Sequence, residues 1–133
     1  MRIFALLPLL IVATSCSGGP SQSDIKPNPN FLFSNHMTGT LLDSSEKSEK
    51  GPSVSFVNMN TNAPSVVFGK SGGSSPMKKI FESEEIVVIQ LVASGSGSVD
   101  TFLIEKKTGR FARSTLGSIM NSLYASKGYG VLQ

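Results

Sequence analysis

The chain has 133 residues, with 12 basic and 9 acidic side chains, one cysteine and one histidine. This length is typical of a single domain, and 39% hydrophobic residues are enough for a modest core. The basic residues are interleaved with acidic ones, which excludes the continuous basic face that nucleic-acid binding requires.

The first fifteen residues have the pattern of an export leader. Arg2 supplies a positive charge, an apolar run extends from Ile3 to Val12, and small residues follow. A membrane-spanning helix needs about 20 apolar residues, and this run is about half that long. We therefore predict a signal peptide over residues 1–15 that is removed from the mature protein.

The single cysteine, Cys16, follows Ala13-Thr14-Ser15. This stretch resembles the lipobox of bacterial lipoproteins, in which an aliphatic residue and two small residues precede the acylated cysteine, although Ala13 replaces the usual aliphatic residue. The resemblance covers residues 1–16 and implies that Cys16 is diacylated. Two acyl chains hold a protein stably on a bilayer, whereas one does so only marginally. The alternative is an ordinary signal peptide that is cleaved nearby.

The resemblance also implies a location. Position 17 is Ser17 rather than the Asp that retains such proteins at the inner membrane of enterobacteria. An outer-membrane lipoprotein is therefore expected, on either the periplasmic or the surface side.

Residues 16–30 are predicted to be the lipidated cysteine and a flexible tether. The stretch SGGPSQSDIKPNPN is rich in Gly, Ser and Pro, and Ile25 is its one aliphatic residue. We expect a single folded domain over residues 31–133.

That domain reads as all-β, because short apolar runs with period two alternate with turn residues. Residues 86–92, IVVIQLV, give the strongest strand signal, typical of a central strand or a barrel wall. Residues 99–105 and 110–115 are predicted to form a hairpin with Gly109 in the left-handed conformation. A bulge is expected near Phe56-Val57, and a flexible loop over residues 69–76. The pattern predicts an antiparallel meander that forms a small sandwich or barrel.

One segment departs from this pattern. Between residues 116 and 125, the spacing of Leu116, Ile119, Met120 and Leu123 matches one face of a helix. The sequence therefore predicts one short helix in this region.

No set of side chains predicts catalysis, a metal site or a cofactor. His36 is the one histidine and Cys16 is committed to acylation, so a His/Cys metal cluster cannot be built. A Ser-His-Asp triad would need His36 with Asp24, Asp43 or Asp100, and no nucleophile elbow presents a serine. We expect His36 to be a surface residue at a strand edge.

Two other patterns imitate functional motifs. Gly69-Lys70-Ser71 resembles the end of a phosphate-binding loop, but Pro64 stands where that loop needs glycine, and no helix is predicted to follow. Glu82, Glu84 and Glu85 lie beside lysines, as in a solvated turn rather than an acid/base pair.

The sequence thus favours a lipid-anchored, non-catalytic envelope protein that acts as a binding or structural module, with an unidentified protein partner or small ligand. The alternative is a carrier of small apolar ligands, with a lipocalin-like cavity lined by phenylalanines. A phenylalanine-lined cavity above about 300 Å³ would favour the carrier. A filled interior with an exposed apolar patch would favour partner binding.

Overall fold

The computed structural model describes residues 25–43, 52–93, 95 and 97–133. These residues form nine strands. In chain order they are β1 His36–Asp43, β2 Ser53–Val57, β3 Ser65–Phe68, β4 Ser74–Pro76, β5 Lys78–Glu82, β6 Ile86–Ala93, β7 Ser98–Glu105, β8 Arg110–Ile119 and β9 Ser122–Leu132.

All nine strands belong to one antiparallel sheet in the order β4-β3-β2-β1-β9-β8-β7-β6-β5. Two meanders, β1 to β4 and β5 to β9, are joined where β1 pairs with β9. Met77 alone separates the two edge strands, β4 and β5, so the sheet curls into a nearly closed barrel. The prediction of an all-β fold built from antiparallel strands is confirmed.

The predicted hairpin is also confirmed. Val99 to Ile104 of β7 pair in register with Leu116 to Phe111 of β8, and Gly109 in the connecting turn has φ +70°. Glycine adopts that conformation at the lowest cost, and a Cβ at this position would also meet the Phe31 ring. Within the described residues, no helix is long and apolar enough to cross a membrane.

Alternation along β2, β6 and β7 places one face of each of these strands inside the barrel. Val54 and Phe56 of β2, Val87 and Ile89 of β6, and Phe102 and Ile104 of β7 are completely buried. The Phe56 ring makes edge contacts with Phe102, at a centroid distance of 5.2 Å, and with Phe111, at 5.4 Å. The phenylalanines therefore pack against one another across the interior.

One end of the barrel is closed by the segment that precedes β1. The Asn28 amide N–H donates to the Thr108 carbonyl at 2.9 Å, and the Asn28 side chain donates to the Leu132 carbonyl at 3.1 Å. Phe31 is buried against Gly109. Residues 25–30, which were predicted to be part of the tether, thus contain side chains that pack on the barrel. Ile25 is buried on the outer wall beside Ala112 and Tyr129.

The predicted helix at residues 116–125 is wrong. These residues form the far part of β8, a two-residue turn and the start of β9, with Leu116 opposite Ala125 and Ile119 opposite Ser122. The helical spacing is coincidental, since apolar residues on both faces of a ribbon also give separations of three and four. Residues 116–119 continue as a strand because the pairing of β8 with β7 fixes the extended conformation and register of β8.

Two finer predictions also fail. No bulge interrupts the register of β2 with β1. Instead, Asn58 has a left-handed backbone conformation with φ 60°, and this turns the Met59 side chain back into the core. The predicted loop over residues 69–76 is shorter, because Ser74–Pro76 forms β4 against β3. Pro76 fits there because β4 is an edge strand.

Candidate functional site

The far part of the β8–β9 hairpin carries apolar side chains that the barrel does not cover. Pairing of β7 with β8 ends at Leu116, and within the described residues β1 pairs with β9 only from Gly128 to Leu132. We name residues 116–125 the arm. The exposed fraction is 53% for Leu116, 94% for Met120 and 88% for Leu123.

Both faces of the arm are apolar. Leu116 and Leu123 lie on the face that continues the outer wall of the barrel, and Tyr124 lies on the opposite face, which continues the inner wall. There the Tyr124 ring covers its cross-strand partner Gly117. A two-stranded ribbon without a covering layer is marginally stable in water, so the arm is supported by little beyond its own pairing.

The tip of the arm is a tight turn. Met120 has φ 48° and Asn121 has φ 65°, and a two-residue hairpin turn of type I′ requires positive φ at both central residues. Asparagine tolerates the left-handed region, whereas methionine is disfavoured there. Met120, the most exposed apolar residue of the arm, thus occupies a turn position at which asparagine, aspartate or glycine is preferred.

The apolar surface continues from the arm onto the rim of the barrel. A cross-strand row on the outer face joins Val92, Val99, Leu116 and Ala125. Residues 91–99 and 114–126 contain no charged side chain. We call this rim together with the arm the apolar end.

A paired aspartate and arginine seal the core at the base of the arm. Arg113 donates from Nε to one Asp100 oxygen at 2.9 Å and from Nη2 to the other at 2.7 Å, and the Thr115 hydroxyl donates to Asp100 at 3.1 Å. The guanidinium lies 4.6 Å from the Phe68 ring centroid. This bidentate pair stabilises the barrel wall beneath the apolar end.

The opposite end, which we call the charged end, holds two further ion-pair groups. Glu82 accepts from Lys79 at 2.6 Å and from Lys106 at 2.7 Å. Glu105 accepts two bonds from Arg110, at 2.8 and 2.9 Å, and one from the Thr108 hydroxyl. The hydrogen bonds from Lys106 and then Lys79 lower the pKa of Glu82, and those from Arg110 lower the pKa of Glu105.

The lowered pKa of Glu82 argues against acid/base catalysis by this carboxylate. A general acid at neutral pH needs a raised pKa, and the pKa of Glu82 is lowered. Glu84 and Glu85 are exposed in the β5–β6 turn, where Glu85 lies 3.9 Å from Lys107. This geometry agrees with a solvated turn.

The structure does not bring the other candidate residues together. His36 is exposed at the start of β1, while Asp100 lies on β7, with β9 and β8 between these two strands in the sheet. Gly69-Lys70-Ser71 forms a β3–β4 turn with no helix after it. Cys16 and Asp24 lie outside the described residues, as does the Asp43 side chain. The described part of the chain holds no group of three metal-ligating side chains.

One groove lies on the outer wall beneath Ile25. It has a cavity volume of only about 30 Å³ and is bordered by Leu103, Ala112 and Tyr129. Phe111 contributes to its lining, whereas Phe56 and Phe102 do not. The groove is therefore a gap beside the docked N-terminal segment and not an internal chamber.

An exposed apolar arm was not among the features predicted from the sequence. The available signal was the 13-residue run from Ser114 to Ser126, which contains five large apolar side chains and no charge. A helix with this spacing would bury its apolar face, whereas in the hairpin Leu116, Met120 and Leu123 are exposed.

Comparisons with protein-family models, with curated proteins and with solved structures find no match to this chain.

Proposed function

We propose that this chain is a lipid-anchored bacterial envelope protein, tethered through Cys16, whose β domain is a non-catalytic binding or structural module. The module contacts its partner through the apolar end. The observation that carries the proposal is the contrast between a filled barrel interior and an apolar arm that folding leaves exposed.

The interior argues against the carrier alternative. A lipocalin-like carrier needs a chamber of several hundred Å³ inside the barrel. Phe56 and Phe102 have no solvent-exposed surface and contact each other edge to face, so they occupy the space that a ligand would need. Partner binding through the outside is the function that the packing favours.

The arm supports the binding module because its apolar side chains contribute little to folding. An exposed leucine forfeits most of the burial free energy that a core leucine gains. Exposed apolar patches of this kind on a folded domain are typical of interaction sites.

The anchor is tested by metabolic labelling with a radioactive fatty acid, followed by separation of membrane and soluble fractions. We expect the native chain to carry label and to sediment with the outer membrane, and the Cys16→Ala chain to lose both properties. Ser17→Ala, which keeps the cysteine, is the matched control and should behave as the native chain. An unlabelled native chain in the soluble fraction would refute the anchor.

A further inference from the structure

The arm combines three properties that restrict what can cover it. Its apolar side chains lie on both faces, its tip is the most exposed apolar position, and no charge interrupts residues 114–126. A protein partner docking on one face would leave the other face in water. A medium that surrounds the tip covers both faces at once.

We infer that the apolar end inserts its tip into the headgroup region of the bilayer that holds the lipidated Cys16. This inference rests on the proposed function, because the anchor brings the domain to that bilayer. The lipid surface takes the place of a protein partner for the arm.

The anchor can reach the same bilayer as the arm. Ile25 lies beside Ala112 and Tyr129, and the end of the β8–β9 pairing at Ile119 is seven residues further along β8, roughly 23 Å at 3.3 Å per residue. The chain from Cys16 to Ile25 has nine residue steps and spans up to roughly 30 Å when extended. The acylated residue can therefore lie level with the arm tip.

The depth of insertion follows from the charges and the backbone. Lys127, the first charged residue after the tip, lies five residues beyond Ser122, about 17 Å along β9. Interfacial elements insert by about 5–10 Å, so Lys127 stays at or above the headgroups. Within the described residues, Ser122–Lys127 pair on one side only, and unpaired backbone groups do not enter hydrocarbon. The insertion is thus interfacial and not spanning.

The identity of the arm residues fits this depth. Tyrosine is enriched at membrane interfaces because its ring is apolar and its hydroxyl is polar, and Tyr124 lies two residues behind Ser122. The charged end would bury the Glu82 and Glu105 ion-pair groups if it faced the lipid. Residues 114–126 carry no charged side chain, so the arm enters the headgroup region at a lower desolvation cost than the ion-paired end.

The test uses a matched pair of exposed leucines at the two ends. Leu123 lies in the arm, and Leu32, which is 83% exposed, lies between Phe31 and Phe33 near the charged end. Leu123→Cys and Leu32→Cys are made separately in the native lipidated chain, whose Cys16 thiol is consumed by acylation. Each is labelled with an environment-sensitive fluorophore and reconstituted into vesicles of phosphatidylethanolamine and phosphatidylglycerol.

We expect the label at position 123 to shift to the blue with a severalfold rise in emission, and to be quenched by lipids spin-labelled near the headgroup. The label at position 32 should keep its aqueous spectrum. If the protein floats with the vesicles and position 123 remains aqueous, the insertion is refuted while the anchor stands. If the label at position 123 shifts to the blue without lipid as the protein concentration rises, the arm binds a second copy of the chain and the inference is overturned.

Failure of the anchor gives a different result, namely a native chain that does not float. The same labelled positions in the full-length Cys16→Ala chain are then titrated directly with the same vesicles. A blue shift at position 123 but not at position 32 supports insertion, and aqueous spectra at both positions refute it.

Discussion

The two halves of the β8–β9 hairpin have the same strand pairing and opposite surroundings. In the lower half, Phe111 and Leu132 are buried inside the barrel between β7 and β1. In the upper half, Leu116 and Leu123 are exposed. Backbone pairing thus extends the hairpin beyond the barrel rim, where burial ends. The apolar residues of the arm therefore need an explanation other than the core.

Two glycines on the inner face of the hairpin express the same difference. A Cβ at Gly130 would meet the Thr40 carbonyl oxygen and the Phe111 ring, so fixed backbone excludes any side chain there. At Gly117 the three atoms nearest to an added Cβ all belong to the side chain of Tyr124, which is exposed and can move. The lower half is packed tightly and the upper half is not.

The largest expected effect is the difference in the free energy of unfolding between a variant in the barrel core and a variant in the arm. We expect Phe102→Ala to lower the free energy of unfolding by about 3–5 kcal/mol, because it removes a fully buried ring that contacts Phe56. Leu123→Ala should change it by less than about 0.5 kcal/mol, since the side chain is already in water. Urea denaturation followed by circular dichroism measures both.

Similar losses for the two variants would contradict the comparison. A large effect of Leu123→Ala would mean that the arm packs against the folded domain, and its apolar side chains would then serve stability. Leu32→Ala provides the control for an exposed leucine outside the arm.

A smaller effect distinguishes the charged end from the apolar end by pH. Hydrogen bonds from Arg110 lower the pKa of Glu105 below the ordinary value of 4.5, so the folded state favours the ionised form. This contribution to stability is present above pH 4.5 and is lost as pH falls through the lowered pKa. Glu105→Gln should cost about 1–2 kcal/mol at neutral pH, because charge-assisted hydrogen bonds are lost, and much less at about pH 3.

The measurement is the free energy of unfolding of the native chain and Glu105→Gln between neutral pH and about pH 3. Glu84→Gln, at an exposed acid in the β5–β6 turn, is the matched control. The ion-pair account is wrong if the gap between the native chain and Glu105→Gln stays constant across this range. Leu123→Ala should show no pH dependence, because the arm carries no carboxylate or basic group.

The sequence predicted the strands where local signals and tertiary context agree. Alternation from Val99 to Glu105 and the Gly109 turn specify one hairpin by themselves. The reversal at Met59 could not be predicted, because it depends on a left-handed Asn58 rather than on a bulge, and either solution buries the same side chain.

The arm was not predicted from the sequence because both a helix face and a two-stranded ribbon produce the spacing of its apolar residues. Leu116, Met120 and Leu123 match a helix face when they are read as one row, but they lie on a ribbon once β7 sets the register of β8. Pairing between distant strands is not visible in an 11-residue window. The lack of charge from Ser114 to Ser126 was visible and holds for either structure, so it was the better indicator of a surface.

The smallest expected effect concerns Met120, where folding and membrane contact favour different residues. Its φ of 48° lies in the left-handed region, which asparagine tolerates better than methionine. Met120→Asn should therefore raise the free energy of unfolding by about 0.5–1 kcal/mol, measured by urea denaturation. The same change replaces the most exposed apolar side chain of the arm by a polar one, so the emission of a label at Leu123→Cys on vesicles should fall. Opposite signs in the two assays would identify Met120 as a residue whose role is contact rather than turn formation. If Met120→Asn raises stability and leaves the vesicle signal unchanged, the tip does not reach the lipid.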